Sequence, residues 1–563
     1  MKHLKIHASF IREGLALTAL VIVHLVCLKY FQHFALMGAE GSRWTQLILS
    51  FLPTLFLFCL FHSCSNANTA LFGASATNIL LSVSHWTKLK LTNEPLIWSD
   101  FSMLFENSVL PRYLRSDHII LVTVFLVWIS WRLRTIFKLF QFKNLINPWS
   151  FSALLLIPLL FFPKANLLKL TYHQIDWRAN VKLNGLLLHL VQTSQKPQSL
   201  FYSETEKATF DGLLDERAIT AEKPQQIIFI LCESCWYDET HFKDLFQPLL
   251  DRGFQAFRGV SPIYGGGTPN ATFEILTGLP SITEHLKGIL FQEYATSLSK
   301  RVYALSQYLH EEGYTTLAFH NNSRTFWQRH IVNPKFGFKK FIGLEEMPYS
   351  TFSDWPDDGI LFSVGLDNFK KLKNSPSFLY FTTMYTHGPY EAQNDLGEAS
   401  YRAKVETSIS RLSYFIDEVY KEEPNTLIFI FGDHKPSLSE YFMKEDIFKS
   451  ADLQDVARWD FVGDVPLFLK HPDSKRVQKV VSAANRLPFF CSIEAIDREF
   501  IGSNLPSLTY ARQNGLCNNY SKKGYGYYST AYPKWLYAIS LFEKDPPKFG
   551  KAGKMSKAEF NRN

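Results

Sequence analysis

The chain reads as a multi-span α-helical membrane region followed by an α/β domain, and three observations carry that reading. Apolar runs crowd the first third of the 563 residues. From Gln225 onward, short apolar segments alternate with amphipathic ones, the grammar of strands and crossover helices. Those strands each hand a polar residue to their C-terminal end, the edge at which open α/β sheets bind ligands.

The apolar runs centre on Gly14 to Leu28, Leu47 to His62, Ala70 to Val83, His118 to Trp131 and Phe151 to Phe162. Several fall short of the roughly 20 residues an untilted span needs, so flanking residues must extend them. So many runs in close succession predict five membrane helices rather than buried core helices, and a cleavable signal peptide would explain only the first. Lys2, Lys5 and Arg12 precede the first run, and Arg132, Arg134, Lys138 and Lys143 separate the fourth from the fifth. Basic residues stay on the cytoplasmic side, so an odd number of spans exports everything after Phe162. Lys88, Lys90, Arg112 and Arg115 in the third-to-fourth loop oppose that orientation.

Four regions follow: a membrane region over 1–165, a connector over 166–223, an exported domain over 224–545 and a basic tail over 546–563. Within the connector, Trp177 to Thr193 has the periodicity of an interfacial helix, interrupted at Asn184-Gly185. Lys548, Lys551, Lys554 and Lys557 make the tail a solvated, disordered end. The net charge of +7 lies largely in flanks and tail, which is not the footprint of a nucleic-acid-binding protein. Cys232, Cys235, Cys491 and Cys517 permit disulfides in an oxidising compartment, with Cys491 and Cys517 the expected pair. Cys232 and Cys235 have the spacing of half a zinc knuckle, but no second close pair completes it.

Four buried strands are expected in the exported domain. Ile227 to Leu231 runs into Glu233, Thr315 to Phe319 into His320, Phe378 to Thr383 towards His387, and Leu427 to Phe431 into Asp433-His434. Val302, Leu305, Tyr308 and Leu309 recur at helical spacing and stop at Gly313, giving a crossover helix.

The chemistry centres on Tyr264-Gly265-Gly266-Gly267-Thr268-Pro269-Asn270. The glycines allow positive φ and close approach of an anionic substrate. Thr268 is expected at the N-cap and Pro269 at the first helical position, with Ala271 to Gly278 as the helix body. A helix N-terminus favours a phosphate and a developing alkoxide. Glu233, Thr268, Asp433 and His434 together offer two carboxylates, an imidazole and a hydroxyl to one divalent cation of the manganese, magnesium or zinc type. Such an ion would lower the hydroxyl pKa of Thr268 and offset charge on a phosphoryl oxygen. Taken alone, Glu233 reads as a cap or a surface ion pair. A second cluster runs from His320 to Arg329. His320 and Arg329 suit phosphate oxygens, His387 suits protonation of a leaving alkoxide, and Trp327 suits closure over a small polar headgroup.

Glu233-Ser234, the Gly-Gly-Gly-Thr268 loop with Phe273-Glu274-Ile275-Leu276-Thr277-Gly278, the His320 to Arg329 block, Thr386-His387-Gly388-Pro389-Tyr390 and Phe431-Gly432-Asp433-His434 form one ordered set of motifs. The set resembles the lipoteichoic acid synthase and phosphoglycerol transferase branch of the alkaline phosphatase and sulfatase superfamily. That resemblance implies an alkaline-phosphatase-like α/β domain with a central mixed sheet flanked by helices. It implies Thr268 as nucleophile, Glu233, Thr268, Asp433 and His434 as ligands of one divalent ion, manganese preferred, and His320, Trp327, Arg329 and His387 as headgroup contacts. The implied donor is phosphatidylglycerol in a bacterial inner membrane, and the acceptor an envelope glycan or polymer. Pro269 and Cys235 are not positions the family pattern assigns.

Three alternatives stand beside this expectation: a phosphoethanolamine transferase, a phosphohydrolase using the same residues, and a non-enzymatic sensor of anionic lipid or glycan. Few soluble cysteines and Glu233 favour phosphoglycerol over phosphoethanolamine. A sulfatase proper lacks support, because the formylglycine precursor pattern does not occur at the Thr268 loop.

Overall fold

A computed structural model describes residues 2–549 apart from 35–36, 39–40, 43, 64, 93–94, 99, 104–147, 162–176, 195–199, 217–221, 287, 349–354, 392–394, 450–451, 453–458 and 519–523. The chain divides into two compact units, Met1–Lys196 and Pro197–Asn563.

The first unit is helical: α1 (Lys2–Tyr30), α2 (Trp44–Ser63), α3 (Ala67–Thr92) and α4 (Pro148–Phe161). Two stretches, Ile11–Tyr30 and Trp44–Ser63, are long and apolar enough to cross a membrane. The third expected run lies inside α3, which has the length of a span but is diluted by Asn68, Asn78, His85, Lys88 and Lys90. The fifth begins in α4, whose apolar stretch Pro148–Ile157 is short. The fourth lies outside the described residues, as do the basic residues flanking it and the tail beyond 549. Among the described residues, then, two helices rather than five meet the requirement. His24 of α1 ties the helices together, its ring nitrogens lying 3.1 Å from Ser50 Oγ and from Thr54 Oγ1 on α2 and 3.2 Å from Asn78 Nδ2 on α3. In an apolar surrounding such polar contacts join helices that hydrophobicity alone would not hold together. The connector helix breaks where expected, with Gly185 at φ 73° between Trp177–Asn184 and Leu186–Thr193.

The second unit is built on an eight-stranded sheet: β1 (Gln226–Cys232), β2 (Gln255–Val260), β3 (Thr315–His320), β4 (Lys340–Ile342), β5 (Ser377–Thr382), β6 (Leu427–Gly432), β7 (Asp464–Lys470) and β8 (Leu487–Pro488). Their spatial order is β8-β2-β7-β6-β1-β5-β3-β4, with β7 antiparallel to both neighbours and every other pairing parallel. The sheet is therefore mixed. Strands β1, β5 and β6 are buried along their whole length. That is why they are continuous apolar runs rather than alternating ones.

Helices α5 (Thr268–Thr277), α6 (Leu290–Tyr294), α7 (Asp358–Leu372) and α8 (Glu398–Glu422) matter most to the site. The start of α5 differs from expectation. Gly267, left-handed at φ 88°, is the cap residue, and Thr268 is the first helical residue with Pro269 following it. The glycine turns the chain without help from a side chain, so the threonine hydroxyl caps nothing and is free to face the sheet edge. At the centre of that edge, a Cβ on Gly432 would run into the Cys235 carbonyl oxygen, so β6 and the turn after β1 approach closely because the residue is glycine. Both soluble cysteine pairs, Cys232–Cys235 and Cys491–Cys517, are disulfides.

Candidate active site

The pairings Leu231↔Thr382, Cys232↔Gly432 and His320↔Thr382 bring the C-terminal ends of β1, β6, β5 and β3 side by side. Glu233, Asp433-His434 and His320 therefore converge on one edge, and α5 presents Thr268 to it. Glu233 is buried, at 2% exposure, which overturns the surface reading it had in isolation. The Thr268 hydroxyl donates to Glu233 Oε2 at 3.1 Å. His434 Nε2 lies 3.3 Å from Glu233 Oε1 and 3.4 Å from Asp433 Oδ2. One ligand atom from each of Glu233, Asp433 and His434 lies within 4.8 Å of the others.

The donor set fits a divalent cation, and the test lies in what is left unpaired. The His434 Nδ1 atom is 2.8 Å from the Lys435 carbonyl, so an N–H there leaves Nε2 facing two carboxylates. Both His434 Nε2 and Asp433 Oδ2 are buried without a hydrogen-bond partner. Acceptors turned on one another in the interior are costly unless a proton or a cation lies among them. Without a cation the protons take that role. Burial raises the Glu233 carboxyl, but a protonated His434 beside it outweighs burial and holds it down at about 2. Burial and the Glu233 charge push Asp433 up to about 7. Burial disfavours a charged His434, yet Asp433 and Glu233 raise it to about 9.

Backbone geometry fixes these side chains. Ser234, left-handed at φ 53°, turns its N–H onto Asp433 Oδ1 at 2.8 Å, and its hydroxyl donates to Glu233 Oε1 at 2.9 Å. Thr383 Oγ1 accepts from the Glu233 N–H at 2.9 Å, and the Thr386 hydroxyl donates to the Glu233 carbonyl. Tyr401 of α8 accepts from the Trp236 N–H at 2.9 Å and donates to the Ser234 carbonyl at 2.9 Å.

The second cluster adjoins the first. His320 Nδ1 is 2.9 Å from the Thr382 carbonyl, while its Nε2 is buried and unpartnered. Burial and the Arg329 charge lower this imidazole to about 3, so it is neutral at ordinary pH. Arg329 is 2% exposed, with Nε and Nη2 lacking partners. Burial lowers it to about 10, which leaves it charged. Trp327 and Gln328 are both left-handed, at φ 54° and 52°. That conformation costs non-glycine residues on the order of 1–3 kcal/mol each and clusters at ligand clamps. His387, lowered by burial, has Nδ1 2.6 Å from the Gly388 carbonyl and its ring 4.8 Å from that of Trp355.

Two contributors have no sequence signature. Trp355 walls His387 and donates from Nε1 to the Gly388 carbonyl at 2.8 Å. Asp358, fully buried at the start of α7, accepts from Asn321 Nδ2 at 2.9 Å, the Met384 N–H at 3.0 Å, the Tyr385 N–H at 3.2 Å and the Ser408 hydroxyl at 2.6 Å. It thus clamps the loop after His320 to the loop before His387. Burial raises its pKa against the pull of these donors. Asp358→Ala would orphan several buried donors, each worth about 1–3 kcal/mol. We expect a loss of about 3 kcal/mol or more in denaturant unfolding of the second unit's tryptophan signal, with Asp358→Asn losing distinctly less.

Residues 225–492 match the Sulfatase family model. A Rhizobium meliloti protein named for cyclic beta-1,2-glucan modification is 28% identical over 238 residues, 38% of this chain and 36% of its own length. The Rhizobium meliloti capsular polysaccharide biosynthesis protein RkpI is 28% identical over 229 residues, 38% of this chain and 42% of its own. The lipoteichoic acid synthase-like YvgJ of Bacillus subtilis is 23% identical over 351 residues, 53% of this chain and 54% of its own. The alignments thus span between 36% and 54% of these relatives' lengths. Among solved structures, the Streptococcus pyogenes phosphoglycerol transferase GacH in complex with sn-glycerol-1-phosphate aligns with TM-score 0.38 at 15% identity, covering 59% of this chain and 100% of that one. The stretch that matches the Sulfatase family model, residues 225–492, carries both the Glu233, Asp433 and His434 cluster and the His320 and Arg329 cluster.

Proposed function

We propose that the chain is a membrane-anchored, metal-dependent phosphotransferase that moves glycerol phosphate from phosphatidylglycerol to an envelope glycan or polymer. The observation that carries the reading is the placement of the Thr268 hydroxyl, at the first residue of α5 and 3.1 Å from Glu233 in a buried cluster with Asp433 and His434. Glu233, Thr268, Asp433 and His434 would hold one divalent ion, manganese preferred. Such an ion supplies charge that favours an ionised Thr268 and a developing phosphoryl anion.

The reaction is ping-pong. Thr268 Oγ1 gives up its proton and attacks phosphorus, and the bond to the diacylglycerol oxygen breaks, that oxygen taking up the proton as it leaves. A hydroxyl of the acceptor then attacks the phosphothreonine, giving up its proton and restoring Thr268. His387, neutral with its Nδ1 turned to the Gly388 carbonyl, is suited to relay the proton in each half-reaction, taking it from the attacking hydroxyl and giving it to the leaving oxygen. Arg329, charged and unpartnered at Nε and Nη2, stabilises the phosphoryl oxygens, while His320 and Trp327 enclose the headgroup.

Support for a glycan acceptor comes from the two Rhizobium relatives, whose names refer to a glucan and a capsular polysaccharide. Support for the membrane comes from the first unit, where Ile11, Leu15, Ile22, Ile48, Leu154 and Leu155 are exposed on its helices. The two disulfides of the second unit fit an oxidising, extracytoplasmic compartment. Five spans, a connector and an exported domain beginning near residue 224 remain our assignment, in a bacterial inner membrane. The test is peptide mapping by mass spectrometry after incubation with phosphatidylglycerol and manganese. A glycerol phosphate adduct on Thr268 is expected. An adduct only from phosphatidylethanolamine would move the enzyme to the phosphoethanolamine branch, and none from either would overturn the reading.

A further inference from the structure

Gln292 of α6 is 7% exposed, and neither Nε2 nor Oε1 of its carboxamide has a hydrogen-bond partner. Buried amides are almost always satisfied, because each unmet group costs about 1–3 kcal/mol. The position of the residue says what the carboxamide is kept for. Asn270, two residues past Thr268, donates from Nδ2 to the Gly288 carbonyl at 2.9 Å and accepts from the Leu290 N–H at 2.9 Å, which pins α6 to the nucleophile helix. On the other side, Gln328 Nε2 donates to the Gln292 carbonyl at 3.4 Å, and the Arg329 guanidinium lies 5.9 Å from the Phe291 ring centre. Gln292 therefore sits between the residue that would be phosphorylated and the loop that carries Trp327 and Arg329.

Three buried side chains here hold unpartnered polar atoms: Gln292, Arg329 and His320. Arginine supplies donors only, neutral His320 supplies an acceptor at Nε2, and the carboxamide supplies both. None carries a negative charge. A hydroxyl both donates and accepts, so a polyol headgroup can satisfy Gln292 Nε2 and Oε1 together. An ammonium group only donates, would leave Nε2 unmet, and would lie near the Arg329 charge.

We propose that Gln292 is a specificity-determining residue that reads the hydroxyls of a polyol phosphate headgroup. The proposal rests on the reading of this site as one that handles a glycerol phosphate unit. The experiment is calorimetric binding of glycerol 1-phosphate, n-propyl phosphate and ethanolamine phosphate to the full-length, manganese-loaded protein in detergent. Wild type is expected to bind glycerol 1-phosphate about tenfold or more tighter than propyl phosphate, which has the same phosphate without the hydroxyls. Gln292→Leu should erase that advantage while leaving propyl phosphate affinity within about threefold, and Gln292→Asn should keep part of it. Equal binding of the two phosphates by wild type, an advantage unchanged in Gln292→Leu, or tighter ethanolamine phosphate binding would each overturn the proposal. Transfer from phosphatidylglycerol is scored separately. Selective binding through Gln292 without transfer would remove the transferase reading and leave this one standing.

Discussion

Thr268→Ala is expected to abolish transfer, lowering kcat by on the order of 10⁴-fold or more, while the protein inserts and folds as wild type does. The size of the effect follows from chemistry that no neighbour can substitute. Ser234 carries a nearby hydroxyl, but it is committed to Glu233 Oε1 at 2.9 Å and lies in the turn after β1, not at a helix N-terminus. The small structural effect follows from how little the Thr268 side chain holds. Its hydroxyl bond to Glu233 Oε2 is worth about 1 kcal/mol. The turn before α5 is set by Gly267, so the helix start survives the change. Thr268→Ser keeps a hydroxyl at the same place and should retain measurable transfer. Diacylglycerol release, phosphoenzyme mass and thermal melting, measured together, check this. A Thr268→Ala protein that melts like wild type and transfers within tenfold of its rate would sink the nucleophile assignment.

Why Thr268, Glu233, Asp433 and His434 were legible from residues alone, and Gln292 and Asp358 were not, is a matter of where each side chain gets its position. The first four follow buried strands or a glycine turn, and a continuous apolar run ending in a polar residue is visible in one dimension. Strands β1, β3, β5 and β6 fall within a residue or two of expectation because burial on both faces leaves no ambiguity of period. Gln292 lies in a five-residue helix with no periodicity to read, and its importance depends on Asn270 pinning that helix from a distant segment. Asp358 looks like any acidic residue in the first turn of a helix, since the four donors that converge on it come from three separate segments. The cap assignment at Thr268 failed for a related reason. Both Gly267 and Thr268 are acceptable cap residues, and the choice was made by the left-handed backbone at Gly267. In the first unit two described helices have the length and apolarity of a span, while α3 carries polar residues along its length that join it to its neighbours, as Asn78 does with His24.

Loading the site with manganese is expected to remove the loss of stability that metal-free protein shows between about pH 7 and pH 9, the window set by Asp433 and His434. In the metal-free protein, His434 is raised from 6.5 to about 9, so the folded state holds a proton that the unfolded chain has released. Its contribution is fully present below pH 6.5 and is lost as pH rises through about 9. A shift of that size corresponds to at most about 3 kcal/mol. Asp433, pushed up to about 7, is half ionised at the low end of the window and ionised through the rest of it, so it steepens the fall only near pH 7. The metal-free protein should therefore lose stability as pH rises from 7 to 9. Cation binding requires a neutral imidazole and two carboxylates, so it expels the His434 proton. Affinity should accordingly rise about tenfold per pH unit up to pH 9, and more steeply below pH 7, where Asp433 must also give up its proton. Over the interval in which metal-free protein loses stability, that rise in affinity offsets the loss, so metal-loaded protein should hold its stability nearly constant. Thermal melts at several pH values, in chelator and in excess manganese, read both slopes directly. Asp433→Asn removes one ligand and part of the field that keeps His434 protonated, so it should flatten the metal-free curve and bring the two curves together. Parallel pH trends with and without the ion would mean that Glu233, Asp433 and His434 do not share a cation.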